Sequence, residues 1–188
     1  FFNCQSLASI KIPNNVEKIG SNAFRACSSL HTILLPQNIR SIETYTFYGC
    51  STLKSIEIPQ YVDKIDFYAF SNCTYLRDIT LPQRLTLIGA RAFENCTSLI
   101  EILIPNNVRT INKYAFANCT SLERVILPST LTKIGEDIFK DCSSLKEILI
   151  PYGKKEYYKK IGLLKYIDLL KEGQWSNINF NKLQHEQI

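Results

Sequence analysis

Seven cysteines carry most of the chemical potential of this chain. Cys4, Cys27, Cys50, Cys73, Cys96, Cys119 and Cys142 stand 23 residues apart without exception. A metal site needs ligands that converge on one ion, usually from closely spaced cysteine pairs. A constant 23-residue step instead lays the sulfurs in a row with parallel side chains. Neighbours in such a row come within disulfide reach by Cα distance, but parallel Cβ vectors oppose the dihedral the bond needs. The odd count also leaves one thiol over. The expectation is a stack of small buried apolar side chains, with few thiols reactive in the native chain and seven after denaturation. His31 and His185 are the two histidines, and His31 flanks a strand at a variable position with no Ser or Cys column to activate. No glycine-rich phosphate loop and no metal-spaced His/Asp/Glu set occurs. No catalytic residue, metal or cofactor is therefore expected, and the chain is read as a non-enzyme. Asn72-Cys-Thr, Asn95-Cys-Thr and Asn118-Cys-Thr match the glycosylation pattern. They arise because the repeat places Asn before Cys and Ser/Thr after it, so they are taken as accidental outside a eukaryotic host.

The elements that position these residues repeat with the same step. Prolines stand at 13, 36, 59, 82, 105, 128 and 151, so every Cys and every Pro of the chain falls in one of two columns. Such a period marks a stack of rungs. Leu99, Ile102 and Ile104 represent three apolar columns, and the last two alternate with a variable residue, as in a half-buried strand. Pro ends the strand because it has no N–H to donate. The second half of the rung, typified by Val108, Ile111, Ala115, Phe116 and Cys119, has spacings of 3, 4, 1 and 3. That rhythm suits one or two turns of helix or 3₁₀-helix. Gly20, Gly89 and Gly135 follow the Ile in three rungs, whereas Glu43, Asp66 and Asn112 stand there in others. The position therefore prefers a turn former without requiring a positive φ. One rung cannot offset its own ordering entropy. Stability comes from stacking, strand on strand in parallel, about 4.8 Å apart.

Composition places this architecture in a globular chain. Of 188 residues 45% are hydrophobic and 21% charged, and no run of about 18 apolar residues exists to span a bilayer. The net charge of +5 is spread thinly, with 15 basic against 13 acidic residues in 1–151. Phosphate-gripping proteins concentrate far more positive charge on one face, so nucleic acid is excluded as a partner. Phe1 lies 23 residues before Phe24, in the Phe column of a rung whose first half is missing, so a longer parent chain is expected.

The pattern Leu-x-x-Ile-x-Ile-Pro-x-x-Val-x-x-Ile-Gly-x-x-Ala-Phe-x-x-Cys resembles the BspA-like, or Treponema-type, leucine-rich repeat over residues 1–151. The resemblance implies a leucine-rich-repeat solenoid with a parallel β-sheet on the concave face and short helical or 3₁₀ turns on the convex face. Two departures matter. The Asn of the general repeat is kept at Asn15, Asn38 and Asn107 but is Tyr61, Arg84 and Thr130 elsewhere, so no continuous buried Asn ladder is expected. Thr46 and Ile138 replace the Ala and should perturb packing against nearby Phe residues. Residues 152–188 break the period. Lys154–Glu172 has helical spacing with a wide apolar face, divided at Gly162 and stopped at Gly173. It is expected to cap the open edge of the last rung, with Trp175 and Phe180 as anchors in a polar tail. A basic amphipathic membrane or partner helix is the alternative.

The inward columns are fixed by packing, which leaves the outer face of the sheet to carry specificity. Along the variable column Lys11, Leu34, Glu57, Thr80, the later rungs turn apolar at Leu103, Ile126 and Leu149. Ile100 lies nearby, and Glu101, Glu123, Arg124, Lys146 and Glu147 flank the stripe. An apolar stripe rimmed by charge has the form of an interaction site, although strand propensity alone, or cover by another element, accounts for it equally. If the site is real, charges at Leu103 and Ile126 should leave the fold intact and weaken binding. The expected function is a non-enzymatic protein-binding or adhesion module. Family resemblance adds a secreted or cell-surface setting and a host, matrix or surface protein as partner, with any membrane contact made by segments outside this chain. An architectural spacer and an intracellular inhibitor or scaffold are the alternatives.

Overall fold

The computed structural model describes residues 1–174. Trp175, Phe180 and His185 lie outside them. Chain order is β1 (Ser9–Lys11), β2 (Thr32–Leu34), β3 (Ser41–Ile42), β4 (Ser55–Glu57), β5 (Lys64–Ile65), β6 (Asp78–Thr80), β7 (Leu87–Ile88), β8 (Glu101–Leu103), β9 (Thr110–Ile111), β10 (Arg124–Ile126), β11 (Lys133–Ile134), β12 (Glu147–Pro151), α1 (Lys155–Tyr158) and β13 (Leu170–Gly173). Strands of three to five residues line one side of a parallel-strand solenoid as the ladders β1–β2, β4–β6 and β8–β10–β12–β13. The register joins residues one repeat apart: Glu101 to Arg124 to Glu147, and Leu103 to Ile126 to Leu149. From β2 onward the middle residue of each three-residue strand (Ile33, Ile56, Ile79, Ile102, Val125) is buried, as the period-two reading requires, while Ile10 of β1 is half-buried.

The second half of each rung is not helical. Its apolar Ile column forms a second parallel sheet of two-residue strands, β3–β5–β7–β9–β11. In every rung but the last, including the first, which lacks such a strand, the chain then runs through tight turns whose amides alternate between two partners. Phe24 N–H donates to Thr46 of the next rung at 2.9 Å, Arg25 N–H to Asn22 within its own turn at 3.2 Å, and Ala26 N–H to Tyr48 of the next rung at 2.7 Å. A 3₁₀-helix would commit successive amides to the same segment. Here every second amide binds the neighbouring rung, and positive φ at Asn22 and Ala26 (61° and 59°) breaks any continuous coil. The apolar spacing that suggests a helix face arises because the tight turns direct the same side chains inward.

Two ladders run the length of the interior. Phe1, Phe24, Phe47, Phe70, Phe93, Phe116 and Phe139 stack ring on ring, with centroids 5.3 to 5.9 Å apart. The loosest step, Phe116 on Phe139 at 5.9 Å and 26°, is the one beside Ile138, where Ala is replaced. Thr46, the other replacement, is fully buried and satisfies its hydroxyl on the Glu43 carbonyl at 2.7 Å. Beside the rings lie the thiols. Cys27 through Cys119 are buried, Cys142 is half-buried and Cys4 exposed, and all seven are free. Each thiol from Cys27 onward donates to the carbonyl of the Phe one rung back, as Cys73 Sγ does to Phe47 at 3.2 Å. That carbonyl also accepts the N–H of the Cys in its own rung, as Phe47 does from Cys50 at 3.0 Å. The cysteine column is therefore a hydrogen-bonding ladder as well as a packing column. Asn15, Asn38 and Asn107 are exposed and form no buried ladder.

The last rung is covered, but not by one long helix. α1 spans four residues, Lys159–Leu163 forms a π-type turn, Leu164–Leu169 a 3₁₀ segment, and Leu170–Gly173 becomes a strand paired to β12. Gly162 divides the segment as expected, at φ 137°. Gly173 terminates no helix; it closes β13. Tyr158 is fully buried and its hydroxyl donates to the Pro128 carbonyl, while Tyr157 donates to Leu131 at 2.8 Å. Tyr166 closes the ring stack edge-on against Phe139. No helix among the described residues is long and apolar enough to cross a membrane.

Candidate binding surface

The outward residues of the wide strand face are held one strand apart by the ladder register, so their spacing is set by the backbone and their identity is left free. All nine residues expected to form the site fall on β8, β10 and β12 or immediately before them. The structure brings them together but divides their roles. Ile126 and Leu149 are buried, at 4% and 6% exposure, and Leu103 is half-buried, while Ile100 is open at 38%. The apolar stripe is thus largely withdrawn from solvent. Leu149 is flanked by Ile126 on one side and Lys171 of β13 on the other, because the cap extends the sheet by a strand. Charges at Leu103 and Ile126 would not leave the fold intact, since Ile126→Lys would bury an ammonium.

The charges form a ladder of alternating sign. Arg124 reaches Glu101 at 3.2 Å on one side and Glu147 on the other, and Lys171 closes on Glu147 at 2.8 Å. Lys146 pairs with Glu123 at 2.9 Å. Lys171 and Arg124, in that order, hold the Glu147 carboxyl below its ordinary range. The Glu147 hydrogen bond holds the Arg124 guanidinium above its ordinary value. These pairs are exposed, so their effect on stability is small; they fix the geometry of the face.

A second patterned surface lies on the turn side. Tyr45 and Tyr68 stack at 4.8 Å, Arg91 sits over Tyr114 at 4.5 Å, and Arg25 packs over Tyr45 and Tyr48 at 4.9 and 5.2 Å. Arg91 also pairs with Glu94. Sequence reading missed this aromatic–cationic column, although Tyr45, Tyr68, Arg91 and Tyr114 share the 23-residue step. Tyr45, Tyr68, Arg91 and Tyr114 all occupy positive φ (58°, 53°, 56° and 58°), so the same backbone geometry presents each in turn. Arg25 and Arg91 are already engaged, and the column reads as bracing between rungs.

Among the described residues no group of three or more His, Cys, Asp or Glu side chains could hold a metal ion. A sequence profile of the BspA type leucine rich repeat region, in six copies, matches residues 1–121 and 41–163. The chain belongs to the BspA-type leucine-rich repeat family. Solved structures agree with this BspA-type assignment. A leucine-rich cell surface protein of Faecalibacterium prausnitzii is 32% identical with a TM-score of 0.68; the match covers 82% of this chain and 50% of that one. A leucine-rich repeat protein of T. pallidum is 27% identical with a TM-score of 0.67, covering 82% of this chain and 85% of its own. The pneumococcal vaccine antigen PcpA shares the fold at 23% identity and a TM-score of 0.58, over 76% of this chain and 44% of its own. This chain therefore spans half the length of the Faecalibacterium protein. No curated protein matches it.

Proposed function

We propose that the chain is a non-enzymatic binding module of a cell-surface or secreted protein, and that it engages a protein partner across the wide strand face around β8, β10 and β12. The observation that carries this reading is the alternating-charge ladder Glu101–Arg124–Glu147–Lys171, held on a rigid parallel sheet and contributing little to the core. Complementary charge of this kind selects a partner and its register more than it supplies raw affinity. Ile100, exposed at the ladder's edge, offers an apolar contact beside it. The surface setting is supported by the Faecalibacterium relative, described as a cell surface protein, and by PcpA, described as a vaccine antigen. Neither a cofactor nor nucleic acid enters this reading.

The test is adhesion of the labelled chain to immobilised extracellular matrix proteins and to whole host cells, with Arg124→Ala, Lys146→Ala as the altered form. Retained melting temperature with binding reduced about tenfold, a loss of about 1.4 kcal/mol, is the expected result. Undiminished adhesion by the double variant would refute the site.

A further inference from the structure

A trough of about 730 Å³ opens on the same side of the solenoid, along the positions at and just before the starts of the wide-face strands. It borders the charge ladder at Ile100 and Glu123, but most of its lining lies outside that ladder. Ser98, Ser121 and Ser144 stand in one column, one rung apart, each half-buried, and no hydroxyl of the three has a hydrogen-bond partner among the described residues. In the next rung toward the N-terminus that column is occupied by Tyr75, which is 60% exposed. Tyr45, Tyr48, Tyr68 and Tyr114 all stack on rings or guanidinium groups, whereas Tyr75 makes no ring contact among the described residues. Arg77 and Asp78 flank Tyr75, both exposed and without an ion-pair partner among the described residues. The trough thus combines one free aromatic face, four serine hydroxyls with Ser55 included, two cations (Lys54 and Arg77), two carboxylates (Asp78 and Glu123) and Ile100, over five rungs or about 19 Å of sheet.

We propose that this trough binds an extended oligosaccharide. A sugar ring presents an apolar C–H face and an equatorial set of hydroxyls that both donate and accept. The Tyr75 ring fits the first, its negative π face meeting polarised C–H groups. Serine hydroxyls donate and accept by turns, while Arg77 only donates and ionised Asp78 only accepts, so together they satisfy the second. The repeated unit matters too: a polymer of like rings meets like hydroxyls at a regular step, which the solenoid supplies. A protein partner is the weaker fit, because the trough lacks the clustered apolar anchors that dominate protein interfaces. The site goes beyond the protein-binding reading above; it shares Ile100 and Glu123 with that surface, but Tyr75 and Ser121, on which its test rests, lie outside it, so either can fail without the other.

Isothermal titration calorimetry of the 188-residue chain with three hexasaccharides decides the matter: a neutral β-glucan, a chito-oligosaccharide and a uronate-containing chain. At least one should bind with a Kd of about 1 mM or tighter. Tyr75→Ala should weaken that binding about tenfold, Tyr75→Phe should retain it, and Ser121→Val should weaken it severalfold. Tyr75 is exposed, so circular dichroism and melting temperature should be unchanged and the loss can be assigned to the site. No binding by any of the three, or binding indifferent to Tyr75→Ala, overturns the proposal. Arg124→Ala, whose partners Glu101 and Glu147 lie outside the trough, should bind the sugar like the parent chain; a loss there too would place the sugar on the charge ladder and likewise overturn it.

Discussion

Cys73 shows how much one residue contributes in a repeated column. Its thiol is fully buried and donates to the Phe47 carbonyl, so Cys73→Val removes a donor and adds about one methyl group of volume. A cost of about 1 kcal/mol is expected, because Phe47 keeps the Cys50 amide as a second donor. Chemical denaturation with the thiols kept reduced would measure it. Burial also pushes the thiols up: Cys50 to about 12, with Cys73 and Cys119 raised by the same desolvation. An unfolded thiol ionises near its ordinary 9.0. The fold disfavours the thiolate, so this contribution is complete below pH 9 and is lost as pH rises through 9 toward 12. Thermal melts from pH 7 to 11 should show a falling melting temperature, and Cys73→Val should flatten that alkaline limb. A limb unchanged by the substitution would place the titration elsewhere. Reaction with a thiol reagent near pH 8 should find Cys4 fast, Cys142 slower and the five buried thiols protected until denaturation.

Within a rung, the glycines separate two kinds of turn that look alike in sequence. Gly20 has open space where a Cβ would stand, whereas at Gly135 a Cβ would lie 2.2 Å from the Lys113 amide nitrogen. Gly20→Ala is therefore expected to be neutral or to stabilise by about 0.5 kcal/mol through the unfolded chain. Gly135→Ala should destabilise by about 1–3 kcal/mol, because the rungs must part. Paired urea titrations read the contrast directly; equal effects would mean that rung contact is not what Gly135 serves. This also explains what was legible in the residues and what was not. The strand centred on Ile102, the inward Ile104 just beyond its end, the buried cysteine column, the parallel stacking and the break at Gly162 follow from period and side-chain size. The second sheet at Ile111 does not, since an inward Ile looks the same on a two-residue strand as on a helical turn. The burial of Ile126 and Leu149 is also hidden, because it depends on neighbours brought alongside by the fold. Strand β13 is hidden too, since Leu170 and Lys171 continue a helical spacing.

Across the whole molecule each rung touches only its neighbours, so stability is close to a sum of rung and interface contributions. The two ends are dressed differently. At one end Tyr158, Leu163 and β13 cover the last rung. At the other, Phe1 and Phe2 are each 61% exposed, and Leu7, Ile10 and Ile12 are only half-buried. In a chain of these 188 residues, opening should therefore begin at the rung of β1 and move toward the cap. Amide hydrogen exchange should show protection lowest at Ile10, highest around Phe70 and Phe93, and still substantial at Ile148. The interior substitution Phe70→Ala removes a fully buried ring from the middle of the stack, at an expected cost of about 3–5 kcal/mol. Its position should matter as much as its size. A weak interface in the centre uncouples β1–β4 from β8–β13, so the capped half should keep its protection while the bare half loses it. Tyr158→Ala tests the converse, loosening the cap and lowering protection at Ile148 without touching Ile10. Uniform loss of protection in both variants would show that the stack unfolds as one cooperative block instead of rung by rung.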